Sequence, residues 1–300
     1  MKISIILPTY NRAKLFLSRA IDSVITQSYK DWELIIVDNN SIDNTKELVH
    51  SYQNDKIHLL NIENEGNIAK SRNLGISKAK GDFIAFLDSD DYWESDKLKK
   101  CIDILKSDPH HDGVCHAEYW IYPTNQHTIK RYGPKKNFTY EKLLMRGNSA
   151  SLSAMIIKKN NILEVESFSE SRDMITAEDY DLWIKLARKK INIVFIDAPL
   201  GYYQIHENSE SSDILKNTNA IIYVIKNHLS TQKKLLRTSL ANCWKNAGKQ
   251  FYLNSANYES YKAYSKSLKY DYMNIKIYFL LVTTLIPAKF YKYFMDKKNG

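Results

Sequence analysis

The first 110 residues alternate between short apolar runs and amphipathic stretches. Residues 3–7, 32–37, 57–62 and 83–87 are apolar runs of strand length. Between them, residues 13–27 place Leu17, Ala20, Ile21 and Val24 at helical spacing. Residues 42–52, with Ser41 or Asp43 as cap, and residues 68–79 predict two further helices. Four strands separated by helices imply an α/β fold, an open and mostly parallel sheet with helices on both faces. Such sheets gather ligands outside the carboxyl ends of their strands. Pro8-Thr9-Tyr10, Asp38 and the segment Asp88–Asp91 all fall there. The pattern then becomes more mixed. Strands are expected at residues 115–122, 153–157, 192–196 and 200–205, and helices at 140–146 and 180–190. Beyond residue 212 the chain reads as helical, with an antiparallel pair, 240–252 and 258–270, turning at 254–257.

The fourth apolar run ends in Asp88-Ser89-Asp90-Asp91, three carboxylates in four residues. Clustered carboxylates raise one another's pKa unless positive charge lies among them. A divalent cation, Mn²⁺ or Mg²⁺, suits such hard oxygen ligands. The alternative is a solvated turn in which Asp91 or Ser95 caps the helix that follows Glu94.

Charge changes the picture at the C-terminal end. The formal net charge is +9, yet residues 213–300 hold 15 Lys/Arg against 4 Asp/Glu, which leaves the remainder slightly acidic. This asymmetry predicts an anionic partner for the C-terminal segment. Residues 275–294 are rich in apolar residues, Tyr and Lys, but the stretch between Lys276 and Lys289 is too short to span a bilayer and contains Pro287. It suits either an interfacial helix on an anionic membrane or a helix packed on the catalytic domain. No recognition motif supports a nucleic-acid partner. Cys101, Cys115 and Cys243 are widely spaced, which points to a reducing compartment and away from a zinc or disulfide framework. No signal peptide is expected at the N-terminus. The expected location is cytoplasmic, peripheral on the inner face of the cell membrane.

Four ordered pieces carry a resemblance: Ile5-Ile6-Leu7-Pro8-Thr9-Tyr10-Asn11, Ile36-Val37-Asp38-Asn39-Asn40-Ser41-Ile42-Asp43-Asn44-Thr45, Lys70-Ser71-Arg72-Asn73-Leu74-Gly75, and Gly81-Asp82-Phe83 through Asp91. With Glu178-Asp179 and His206 added, the chain resembles the family 2 glycosyltransferases, whose fold is the Rossmann-like GT-A type. The resemblance implies a GT-A catalytic domain over residues 1–212, with a nucleotide-binding half (1–110) and an acceptor-binding half (111–212). Residues 213–300 form a helical appendage. It further implies that Pro8, Thr9 and Tyr10 pack on a nucleotide base and that Asp38 accepts a hydrogen bond from the base edge. Arg72 faces diphosphate or supports the acidic loop; a plain ion pair is the alternative. Asp88 and Ser89 contact the donor, Asp90 binds the metal, and His206 reaches metal or diphosphate. Two departures stand out: Asn39 follows Asp38 where a second acid is common, and Gln204 stands where the family often has an arginine.

Glu178-Asp179 opens the helix expected at 180–190, where acids also suit the helix dipole, with Thr176 as a candidate cap. By resemblance Asp179 is the general base of an inverting transfer and Glu178 orients acceptor or base. Trp183 stacks on a sugar or packs in the core. The implied activity moves a hexosyl or N-acetylhexosaminyl group from a nucleotide sugar, with a UDP-sugar first, to a glycan or lipid-linked acceptor in bacterial surface polysaccharide synthesis. Two alternatives stay open: an aspartyl-type metal-dependent phosphatase and a non-catalytic sugar-binding protein of the same fold.

Overall fold

The computed structural model describes residues 1–124, 126–206 and 213–285. The described chain forms two compact units, one of residues 1–140 and 148–206, the other of 141–147 and 213–285. The first unit is built on a nine-stranded sheet. Its strands are β1 (Ile3–Thr9), β2 (Trp32–Asp38), β3 (Ile57–Asn61), β4 (Phe83–Phe86), β5 (Tyr92–Trp93), β6 (Gly113–Ile121), β7 (His127–Lys130), β8 (Met155–Lys158) and β9 (Ile193–Gln204). The order is β3-β2-β1-β4-β8-β6-β9-β5, with β7 paired to β6. The first four strands are mutually parallel. Every residue of β1, β2 and β4 is buried, the signature of strands covered on both faces. Beyond β4 the sheet is mixed: β8 runs antiparallel to both β4 and β6, while β9 is parallel to β6.

The flanking helices of this unit are α1 (Ser18–Ile25), α2 (Thr45–Ser51), α3 (Ile68–Lys78) and α4 (Lys97–Ser107), and a π-helical turn, Ala13–Leu17, precedes α1. After α5 (Tyr140–Arg146), the chain adds α6 (Lys159–Leu163) and α7 (Glu178–Arg188). Leu17, Ala20, Ile21 and Val24 are all buried against β1 and β2 in the core, as their spacing predicts. Helix α3 lies unusually close to β1: a Cβ on Gly75 would stand 2.6 Å from Ile6 Cγ2.

Several local expectations are corrected. Helix α2 begins at Thr45, and its first N–H is taken by Asp43 Oδ1 at 3.1 Å, because Ser41 is engaged with Asp38. Neither Asp91 nor Ser95 caps α4, which begins at Lys97. Asp91 is instead buried and accepts the Gln204 N–H at 3.0 Å, since Tyr92 and Trp93 form a strand against β9. The two strands expected at 192–196 and 200–205 are one, β9, which carries an irregularity around Pro199.

The second unit contains α5 from Glu141 onward, with α8 (Ile214–His228), α9 (Lys233–Leu253), α10 (Asn257–Tyr270) and α11 (Ile275–Thr283). α9 and α10 pack closely and antiparallel: Ser260 Oγ donates to the Gly248 carbonyl at 2.8 Å, and Ser267 Oγ to that of Ala241 at 2.6 Å. Among the described residues, no helix is long and apolar enough to cross a membrane. The part of the apolar tail beyond residue 285 lies outside the described residues.

Candidate active site

The carboxyl ends of β2, β1 and β4 lie side by side, and the candidate residues follow from that. Thr9 stands opposite Asp38 in the β1–β2 register. The loops after these strands are laced together: Asn11 N–H donates to Ser41 Oγ at 2.8 Å, and Asn11 Oδ1 accepts from the Ile42 N–H at 2.9 Å. Asn11 and Asn40 both adopt positive φ, which asparagine tolerates better than most residues. Pro8 and Thr9 are buried at this rim, while Tyr10 is 53 % exposed and offers its ring. Asp38 is buried and accepts the Ser41 N–H at 3.2 Å as well as its hydroxyl proton.

Beyond β4 the chain turns through Asp88–Asp91. The Asp88 N–H donates to Ser153 Oγ at 3.2 Å, and the Ser153 carbonyl accepts from Trp93 Nε1 at 2.9 Å. Ser153 thereby fastens the acidic turn to the start of β8. Ser89 is buried within the turn. Asp90 Oδ2 lies 2.8 Å from His206 Nε2, and the His206 ring stacks on Phe16 at 5.2 Å between centroids.

Arg72 ties this turn to α7. It rises from α3, is almost fully buried, and forks onto two carboxylates: Nη2 to Asp88 Oδ1 at 2.8 Å and Nη1 to Glu178 Oε1 at 2.6 Å. The geometry is the ion-pair alternative, with both outer nitrogens engaged. Burial works against the guanidinium's charge, but the Asp88 and Glu178 carboxylates together hold it firmly protonated. Beside Glu178, Asp179 Oδ2 accepts from Asn148 Nδ2 at 2.8 Å, and its Oδ1 accepts the Tyr180 N–H at 2.6 Å. Just before α7, Thr176 has φ +81°, a conformation that a β-branched residue adopts only under constraint.

The electrostatics are those of crowded acids. Burial pushes the Asp179 carboxyl up to about 7, with Glu178 adding to the rise and Arg72, the Tyr180 N–H and Asn148 opposing it. Burial also raises Asp88, against the pull of Arg72. Asp91 is raised well above the usual range by burial and then by Asp90, Glu118 and Asp88, and its Oδ2 is buried without a partner. Among the described residues, the Arg72 guanidinium bridges two of these carboxylates, Asp88 and Glu178. Among the described residues, no group of three or more His, Cys, Asp and Glu side chains converges as a ready-made metal cage. A depression lined by Val49, His50, Gln53 and His58, on α2 and β3, contains none of these residues.

The sequence profile described as Glycosyl transferase family 2 matches residues 4–166. This chain is a family 2 glycosyltransferase. It is 32% identical over 245 residues to the Escherichia coli UDP-Glc:alpha-D-GlcNAc-diphosphoundecaprenol beta-1,3-glucosyltransferase WfgD, covering 76% of this chain and 92% of that one. It is 27% identical over 227 residues to the putative teichuronic acid biosynthesis glycosyltransferase TuaG of Bacillus subtilis, covering 75% and 87%. Among solved structures, S. aureus TarS 1-349 in complex with UDP superposes with a TM-score of 0.61 at 20% identity, over 96% of this chain and 88% of that one. The mannosyltransferase PcManGT from Pyrobaculum calidifontis, in complex with GDP-Man and Mn2+, gives 0.55 at 16% identity, over 95% and 87%. These two likenesses concern the fold, which is GT-A. As a transferase, the protein is an enzyme, and the phosphatase and non-catalytic alternatives fall away.

In this glycosyltransferase the structure draws Asp88, Glu178 and Arg72 into one cluster, with Asp179 beside it and Asp90 paired to His206. Pro8, Thr9, Tyr10 and Asp38 stand at the neighbouring strand ends, where Asp38 is engaged with Ser41. Trp183 is fully buried in the core, which removes sugar stacking as its role. Three residues that sequence reasoning did not single out belong to the cluster: Asn148 on Asp179, Ser153 on the acidic turn, and Arg19, whose Nη2 donates to the Asp90 carbonyl at 3.2 Å. Each is reached from a distant element, and only the turn signal Gly147-Asn148 hinted at one of them.

Proposed function

We propose that this enzyme transfers a hexosyl or N-acetylhexosaminyl group with inversion from a nucleoside diphosphate sugar, a UDP-sugar foremost, to a glycan or lipid-linked acceptor in bacterial surface polysaccharide synthesis. The observation that carries the reading is the Arg72 fork. One guanidinium joins Asp88, in the turn suited to a donor diphosphate, to Glu178, the neighbour of the candidate base. WfgD, by its name, uses UDP-Glc and a diphosphoundecaprenol-linked acceptor, which supports both the donor and the acceptor class.

In this mechanism Pro8, Thr9 and Tyr10 hold the base and Asp38 accepts from its edge, exchanging the Ser41 contact for the ligand's N–H. Asp179 takes the proton of the acceptor hydroxyl as that oxygen bonds to the anomeric carbon. The bond from that carbon to the diphosphate breaks, and its electron pair departs with the nucleoside diphosphate. Asn148 keeps Asp179 aimed, and Glu178, held by Arg72, orients the acceptor. Asp90 Oδ2 and His206 Nε2, 2.8 Å apart, are the carboxylate oxygen and imidazole nitrogen that would hold a cation, and Asp91 Oδ2 in the same turn is buried without a partner. This donor set, with an imidazole nitrogen in it, would suit Mn²⁺ somewhat better than Mg²⁺. When bound, the cation supplies neutralisation of the charge on the departing diphosphate.

The second unit supports a peripheral membrane reading for a lipid-linked acceptor. Along α11, Ile277 faces inward at 1 % exposure, while Ile275, Tyr278, Phe279 and Val282 form an exposed apolar stripe beside Lys276. The test of the whole reading is a turnover screen of purified enzyme with UDP-, GDP- and TDP-sugars and Mn²⁺. Release of nucleoside diphosphate from a UDP-sugar is expected. Release from none of them overturns the reading.

A further inference from the structure

Arg19 is a cation at the edge of the acidic turn. It projects from α1, and its Nη2 donates to two neutral acceptors, the Asp90 carbonyl at 3.2 Å and Gln204 Oε1 at 3.3 Å. Its Nε is buried with no partner. Among the described residues, no carboxylate lies within ion-pair distance of its guanidinium. The group is nevertheless firmly held. It lies 4.1 Å over the Tyr92 ring, which in turn stacks on Tyr202 at 4.3 Å, and 5.8 Å from the centre of Phe16, the residue stacked on His206. Contacts with ring faces offset part of the cost of removing a guanidinium from water, and a matching anion offsets the rest.

We infer that Arg19 grips the donor's diphosphate, supplying from α1 a guanidinium that no carboxylate among the described residues pairs. This rests on the nucleotide-sugar reading above. Arg72, the other guanidinium of the site, has both outer nitrogens committed to Asp88 and Glu178. Among the described residues, Arg19 has long bonds to neutral oxygens alone, at 3.2 and 3.3 Å, and these yield readily to a charged ligand. A guanidinium has five N–H donors in a fork, so diphosphate oxygens can be met while the Gln204 amide remains beside it. The Gln204 side chain orients the fork through its carbonyl oxygen, so residues 19 and 204 act as a pair.

The experiment measures Kd for UDP and UMP on the full-length enzyme by calorimetry, with and without Mn²⁺, for the parent, Arg19→Gln, Arg19→Lys and the double variant Arg19→Gln/Gln204→Arg. Wild-type binding of UDP checks the nucleotide-sugar reading on its own. Given that binding, Arg19→Gln should weaken UDP about ten- to a hundredfold and UMP far less, as expected for loss of a charge-assisted pair. Arg19→Lys should fall between, and the double variant should recover most of the UDP affinity. Equal losses for UMP and UDP, or a melting temperature lowered together with both affinities, would mean that Arg19 only braces the fold. Unchanged UDP affinity in Arg19→Gln would also overturn the inference.

Discussion

Asp179 is a carboxylate in surroundings that disfavour its charge. Burial and Glu178 push it up to about 7, and the Asn148 amide pulls the other way. A base of that strength is well matched to a hydroxyl proton near neutrality, yet only its ionised form can accept one. The rate of transfer should therefore rise with pH through about 7 and level off above. Asn148→Ala removes a donor that favours the ionised form, so it should move the inflection to higher pH and lower kcat; a pH–rate profile of both proteins checks this. The same shift has a sign for stability. The folded-state pKa lies above the unfolded value, so the contribution to stability is full at low pH and is lost as pH rises through about 7. Asp179→Asn should thus melt at a higher temperature than the parent at pH 8, with the difference shrinking toward pH 4. A variant that melts lower at pH 8 would show that the carboxylate stabilises the fold.

At the scale of elements, close approach rather than propensity decides one instructive position. Alanine is better than glycine inside a helix by about 1 kcal/mol, yet a Cβ at Gly75 would meet Ile6 Cγ2 at 2.6 Å. Gly75→Ala should destabilise the enzyme by about 1–3 kcal/mol, the usual cost of overpacking a core, read as a lower denaturant midpoint. Elements were legible in the sequence where a single local signal sufficed. β1, β2 and β4 are continuous apolar runs because both their faces are covered, and α1 shows its buried face by spacing. β5 was illegible: two residues, Tyr92 and Trp93, carry no period, and they form a strand only because β9 lies alongside. β9 itself read as two strands because Pro199 cannot donate to a ladder, and the sheet absorbs it as an irregularity. The site divides likewise. The acids Asp88, Asp90 and Asp179 stand in recognisable motifs, whereas Asn148, Ser153 and Arg19 join them only through contacts between residues 31, 65 and 71 positions apart.

Across the whole molecule, charge and apolar surface are distributed unevenly. Residues 213–300 carry a net charge of +11, and the exposed stripe on α11 includes Phe279 at 69 % exposure. Lysines beside an apolar stripe suit an anionic lipid surface, whose attraction falls as salt screens it. Full-length protein should float with anionic vesicles at low ionic strength and release at high salt, and Phe279→Glu should weaken flotation without changing the melting temperature. Protein that stays with the soluble fraction on anionic vesicles contradicts the peripheral reading. The central claim concerns the acids that Arg72 joins, one set suited to the diphosphate and the other to the acceptor proton. Its most direct test measures UDP-sugar binding and single-turnover transfer side by side in Asp179→Asn. The expected result is near-normal binding with transfer reduced by about 10²- to 10⁴-fold, the usual worth of a positioned base. Near-normal transfer in that variant would contradict the account.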